Sequence, residues 1–207
     1  MKTKTILFLI ILLTFSSPAF AKSGDTIVSF GFSNGSGDVK LAGTSYSVDT
    51  EQTGVAFSSN VDGFIITGST ASGEATLAGI TIDVDQTALG IGFVDGDFDV
   101  ILGTGQQRAF GFKVIDYEVS LGSVSSSDTT YEIGFGSSFG IGNGSSIGFS
   151  FDTDTDDIFS DNSYSGSITK SFGSAIFTLG ANYNIYVTDA NNSGDSTVFF
   201  LNMGYVF

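Results

Sequence analysis

FFLNMGYVF, Phe199 to Phe207, is the stretch whose reading decides the fold of this chain. Phe199, Leu201, Met203, Tyr205 and Phe207 are large and apolar, and they alternate with Phe200, Asn202, Gly204 and Val206. Successive side chains of an extended strand point to opposite faces, so the first set shares one face. Chain ends usually fray into water, yet no charged or polar residue follows Phe207.

The same period of two runs through the rest of the chain. It recurs in Val28, Phe30, Phe32; in Leu89, Ile91, Phe93; in Phe98, Val100, Leu102; in Phe110, Phe112, Val114; in Ile147, Phe149, Phe151; and in Tyr183, Ile185, Val187. Gly, Ser, Thr, Asn or Asp fill most intervening positions. No apolar stripe of helical period and length follows residue 21, so this region is all-β. Laid on itself with a shift of about 36, SNGSGDVKLAG (Ser33 to Gly43) falls on STASGEATLAG (Ser69 to Gly79), and Gly54 and Phe57 fall on Gly90 and Phe93. The repeat reads as a duplicated hairpin, with a looser third copy that starts near Phe98 and carries extra residues before TTYEIGF. Short turns at Asn60 to Gly63, Asp95 to Asp97, Asn143 to Ser145 and Phe172 to Ser174 divide it into five antiparallel hairpins, about ten strands. Eight or twelve stay open, because LAGTSYSV and LAGITIDV either extend neighbouring strands or stand alone. A two-residue turn at Asp95-Gly96 predicts Phe93 opposite Phe98 and Ile91 opposite Val100. The same arithmetic at Phe172-Gly173 predicts Ile168 opposite Phe177. The opposite hairpin ends read as longer acidic loops, Asp152 to Asn162 and Thr188 to Ser196.

The N-terminus reads MKTKTILFLIILLTFSSPAFA, with basic Lys2 and Lys4, an apolar run, and Ala19-Phe20-Ala21 as an A-x-A cleavage site. These are the parts of a secretory signal peptide over residues 1–21, leaving residues 22–207 as one exported domain. Cys is absent, which excludes disulfides and thiolate metal sites, and His is absent, which removes the usual general base and zinc ligand. The full chain carries a formal charge of −15, and residues 22–207 hold all 22 acids but only five of the seven bases. Nucleic acid would be repelled.

Alternation alone fits a soluble sandwich with a buried apolar face or a membrane barrel with that face toward lipid. Alternating short and long turns, a sheet that can close, and a strand at the chain end favour the barrel. FFLNMGYVF, closing on Tyr205-Val206-Phe207, resembles the C-terminal signature of Gram-negative outer-membrane β-barrel proteins. That family often has Gly where this chain has Asn202. ALGIGFVDGDF and YEIGFG are similar to stretches of small porin-family barrels. The resemblance implies an antiparallel up-and-down transmembrane β-barrel in the cell outer membrane, among lipid and lipopolysaccharide. It also implies recognition of Phe199, Leu201, Met203, Tyr205 and Phe207 by the barrel-assembly machinery, and closure of the last strand on the first.

The function expected is structural, surface-interacting or narrow passive-channel, without enzymatic activity and without a cofactor. The alternative is a secreted soluble acidic β-repeat protein or adhesin. A carboxylate pair could serve a glycosidase, but the Asp residues cluster where turns and loops are expected. Asp152, Asp154, Asp156 and Asp157 of DTDTDD form a weak candidate for Ca²⁺ or Mg²⁺, including ions bridging to lipopolysaccharide phosphates. EF-hand spacing fails, because Asp157 stands where Gly is required. Lys113 and Glu132 each sit opposite the apolar parity, so both are expected inside the lumen, where they form a candidate ion pair.

Overall fold

The computed structural model describes residues 22–155 and 161–207. The segment containing Ala19 and Ala21 lies outside the described residues, as do Asp156 and Asp157. The strands in chain order are β1 (Thr26–Leu41), β2 (Thr44–Val61), β3 (Phe64–Leu77), β4 (Ile80–Asp95), β5 (Phe98–Asp99), β6 (Thr104–Leu121), β7 (Val124–Gly142), β8 (Ser145–Asp154), β9 (Asp161–Phe172), β10 (Ala175–Asp189) and β11 (Asn192–Val206). All but the two-residue β5 form one antiparallel sheet of ten strands that closes on itself. β11 pairs with β1 from Ile27↔Val206 to Lys40↔Ser193, and β4 pairs with β6 from Asp83↔Ser120 to Asp95↔Arg108. Closure satisfies the backbone of every barrel strand without exposing an edge.

Tight turns make the hairpins. Ala42-Gly43 joins β1 to β2 with φ of 49° and 85°, and Ala78-Gly79 joins β3 to β4 with φ of 52° and 80°. Two successive positive φ values are the mark of the type I′ turn, whose twist matches that of the strands it joins. The two LAG segments are therefore hairpin tips, and the 36-residue repeat is β1–β2 recurring as β3–β4.

Three sequence expectations need correction. Short and long turns do not alternate: β6–β7 and β10–β11 also turn within two residues, and Thr188 to Ser196 mostly continues β10 and β11. Ladder hydrogen bonds serve a polar strand as well as an apolar one, so acidic composition did not mark a loop. Phe177 pairs with Lys170 and Ile168 with Leu179, because the turn centres on Gly173-Ser174 instead of Phe172-Gly173. Finally, Phe93 pairs with Phe110 and Ile91 with Phe112, so Phe98 and Val100 belong to no hairpin with β4.

The apolar parity faces outward. Leu89, Ile91 and Phe93 on β4 are 63%, 56% and 65% exposed, while Val84, Gln86 and Ala88 of the opposite parity are buried. Aromatic pairs ring the outer surface near the chain termini, with centroids 5.5 Å apart for Phe64–Phe93, 5.8 Å for Phe172–Phe177 and 4.9 Å for Tyr205–Phe207. A second ring lies further along the strands, at Phe112–Tyr131 and Phe151–Tyr164. A tilted strand crosses a bilayer in about 9–11 residues, whereas β2, β6 and β7 run 18, 18 and 19 residues. The excess leaves the apolar band as a polar extension bearing outward carboxylates. There Glu51 stands directly opposite Glu74, Glu74 opposite Asp83, Asp85 opposite Glu118, and Asp38 opposite Asp195.

Candidate functional site: the barrel lumen

The inward parity builds two unlike walls. On β9 it places Ser163, Ser165, Ser167, Thr169 and Ser171, joined by Thr178, Asn182 and Asn184 of β10 and Asn202 of β11, all buried. Hydroxyls meet across this wall, with Thr169 Oγ1 2.8 Å from Thr178 Oγ1 and Ser150 Oγ 2.7 Å from Ser165 Oγ. The facing wall, on β3, β4 and β6, is apolar, where Ala75, Val84, Ala88, Ile115, Tyr117 and Val119 pack together.

An ion group bridges β6, β7 and β8. Lys113 pairs in register with Glu132, and its Nζ lies 3.3 Å from Glu132 Oε2. The same Nζ lies 2.7 Å from Asp152 Oδ1, although Asp152 is one strand further away. Gly134, the register partner of Asp152, makes this reach feasible, because a Cβ there would collide with Asp152 Oδ1. Two carboxylates, each 6% exposed, thus share one ammonium, leaving the group one negative charge in excess. Asp152 and Asp154 belong to β8 and point inward, not to a loop. Among the described residues no set of three or more His, Cys, Asp or Glu side chains is placed to hold a metal ion.

The lumen is blocked at the end where the chain termini meet. Residues 96–103 fold inward, and Phe98 and Val100, each 1% exposed, pack with Ile27, Ile176 and Val206. Backbone hydrogen bonds pin this stopper: Gly142 N–H donates to Gly103 O and Gly144 N–H to Leu102 O, both at 2.8 Å. Asp99 Oδ1 accepts from Leu102 N–H at 2.9 Å, and Ser171 Oγ donates to Ile101 O. Positive φ at Gly96 and Gly103, 104° and 66°, lets the chain leave β4 and return to β6 at these sharp corners. Beside the stopper, Lys22 Nζ lies 3.7 Å from Asp99 Oδ2. Burial, then the charge of Asp99, raise the carboxyl of Asp25 above its ordinary range.

No protein-family model and no curated protein matches the sequence. Solved structures do. The COG4313 outer membrane channel from Pseudomonas putida F1 superimposes with a TM-score of 0.52 at 9% identity, over 94% of this chain and 100% of the channel. The translocator domain of the autotransporter NalP from Neisseria meningitidis gives 0.51 at 8% identity, over 88% of each chain. The chain has the outer-membrane β-barrel fold. In such a barrel the outward aromatic band faces lipid and the inward Ser, Thr and Asn face the lumen.

On the barrel's closing strand β11, Phe199, Leu201, Met203 and Tyr205 point outward and are exposed, as is Phe207 just after it, while Phe200, Asn202 and Val206 are buried inside. The stopper is what sequence reasoning missed. Phe98, Val100 and Leu102 keep strand parity, but Gly96, Gly103 and Gly105 crowd around them. That local density of glycine was the available signal.

Proposed function

We propose that the protein is a small outer-membrane barrel whose polar lumen is a narrow passive pathway, stoppered at one end by residues 96–103. The observation that carries this reading is the set of buried polar atoms on the inner walls with no protein partner: both amide atoms of Gln52, Gln107 Oε1, Ser167 Oγ, Asn184 Oδ1 and Asn202 Oδ1. Buried polar groups left without a partner cost about 1–3 kcal/mol each, a cost that a lining selected for packing alone would avoid. A barrel serving only as a scaffold gains more from interlocked side chains than from unpartnered amides. Ten strands keep the pathway narrow, since wide aqueous channels come with about sixteen or more.

The reading is non-enzymatic and needs no cofactor. It is supported by the absence of His and by Lys113 neutralising part of the inward carboxylate charge. Placement in the outer membrane is supported by the outward apolar band, with the polar extensions at the lipopolysaccharide level. Their outward carboxylates suit weak bridging by Ca²⁺ or Mg²⁺ to lipid phosphates. The alternating β11 suits handling by the barrel-assembly machinery after export through residues 1–21.

Planar-bilayer recording tests the pathway. The unmodified barrel should pass little current. Phe98→Ser/Val100→Ser, which can no longer seat in the apolar cluster of Ile27, Ile176 and Val206, should open sustained small conductances. Unchanged current in a correctly folded double variant would refute the stopper and, with it, the pathway.

A further inference from the structure

Closure pairs each strand on both sides at membrane depth, but the strands end at different heights above it. β7 pairs with β8 only as far as Glu132↔Asp154, with one further bond from Thr155 N–H to Tyr131 O at 2.8 Å. β9 begins at Asp161, opposite Tyr186 of β10. The β6–β7 hairpin continues past that level, from Val114↔Tyr131 to Leu121↔Val124, without a register shift. Val124 to Thr130 is about 23 Å of strand. β6 covers one side of it, and among the described residues no strand lies on the other. Tyr131 stacks on Phe112 in the second aromatic ring, so the open edge begins where the apolar band ends. Inside hydrocarbon such an edge is not tolerated.

Alternation fixes which backbone groups face the gap. Tyr131 O points toward β8, so the N–H and C=O groups of Ser125, Ser127 and Thr129 point the same way, and those of Ser126, Asp128 and Thr130 point to β6. All three gap-facing residues are exposed. Thr129 N–H donates to Asp128 Oδ1 at 2.9 Å, a side chain standing where a ladder partner would be. Proteins blunt edges with Lys, Pro, bulges or a covering element. VSSSDTT, Val124 to Thr130, has no Lys, no Pro and no bulge.

Charge selects what can pair there. Above Lys113 and Glu132, β6 and β7 carry Asp116, Glu118 and Asp128 and no Lys or Arg. Asp85 of β4 stands opposite Glu118. A second copy of this chain would set like charges side by side. A basic strand is complementary: one side chain meets Asp128 directly, and outward ones reach over Ser127 to Glu118, two strand spacings of about 4.8 Å away.

We propose that the β7 edge at Ser125, Ser127 and Thr129 is a docking site for an extended, lysine- or arginine-bearing polypeptide segment, which adds to the sheet as a further strand. The site lies outside the lumen, so a barrel that never conducts can still bind the strand.

The test uses the barrel in phosphatidylcholine nanodiscs and a capped peptide of the length of Val124 to Thr130, alternating lysine with threonine or valine. The peptide should bind saturably above the level of empty nanodiscs and slow amide hydrogen exchange at Ser125 and Ser127, read by NMR. Replacing its lysines with glutamate should abolish binding. So should N-methylation of every peptide amide, which keeps the charges but removes the donors. Ser127→Pro removes a gap-facing N–H and no bond to β6, and proline is tolerated at such an edge. It should weaken binding about tenfold or more. If that variant loses heat-modifiable gel mobility, Ser125→Pro replaces it, since its N–H faces the same gap. Binding no greater than to empty nanodiscs overturns the proposal. Equal binding of the N-methylated peptide overturns it too, since charge alone would then hold the peptide. Unchanged affinity in the folded proline variant, or unprotected Ser125 and Ser127 amides in the complex, would place the peptide elsewhere and also overturn it.

Discussion

Replacing Lys113 with methionine removes the only cation from a group of two nearly buried carboxylates. At an effective dielectric of 20, contacts at 2.7 Å and 3.3 Å are worth about 6 and about 5 kcal/mol before desolvation. Desolvation of all three charges offsets much of this, and breaking a buried pair from one side costs about 3–5 kcal/mol net. Lys113→Met should therefore destabilise the barrel by roughly 3–5 kcal/mol. Urea unfolding in liposomes, followed by far-UV circular dichroism and heat-modifiable mobility, reads this directly; the chain has no Trp to report by fluorescence. The triple variant Lys113→Met/Glu132→Gln/Asp152→Asn should recover most of the loss, because no uncompensated charge remains. A loss below about 1 kcal/mol, the range of an exposed pair, would mean that lumen water screens the carboxylates well. A triple variant no more stable than the single one would mean that Lys113 acts through packing. Either result refutes the electrostatic account.

Three further outcomes follow from the extensions and the stopper. Ala78 holds φ of 52° in its turn, where Asn is favoured over Ala, so Ala78→Asn should stabilise by about 0.5–1 kcal/mol in the same unfolding assay. Glu74 faces Glu51 and Asp83 directly across strands. Glu74→Lys should thus stabilise by about 1 kcal/mol at low ionic strength, a gain that shrinks in high salt. For Asp25, whose folded-state carboxyl is raised, the ionised form costs stability at neutral pH, and that cost fades as pH falls through the carboxylate range. Asp25→Asn should therefore raise the unfolding midpoint at pH 7 and leave it unchanged at acid pH; an equal gain at both would assign the effect to packing.

Much of the architecture was legible because a strand's period of two survives in one dimension. The outward parity of β11, the five hairpins and the inward parity of Lys113 and Glu132 are all statements about odd and even positions. Register was less legible. Phe172-Gly173 and Gly173-Ser174 make equally plausible turns, and moving between them shifts every partner by two while leaving the faces unchanged. Strand ends failed for a related reason: Thr188 to Ser196 is acidic whether it loops or continues a ladder, since backbone pairing does not read side-chain polarity.

The sequence by itself determined that this chain is all-β and that its apolar residues share one face, and it limited the strands to about ten, with eight or twelve left open. Those properties depend on neighbours along the chain. Only the tertiary structure decided that Phe98 and Val100 fill the lumen instead of pairing with β4 across a hairpin turn, and that Asp152 crosses Gly134 to share Lys113 with Glu132. Each of these depends on which residues closure of the sheet brings together across the lumen, and parity along a strand carries no record of the opposite wall.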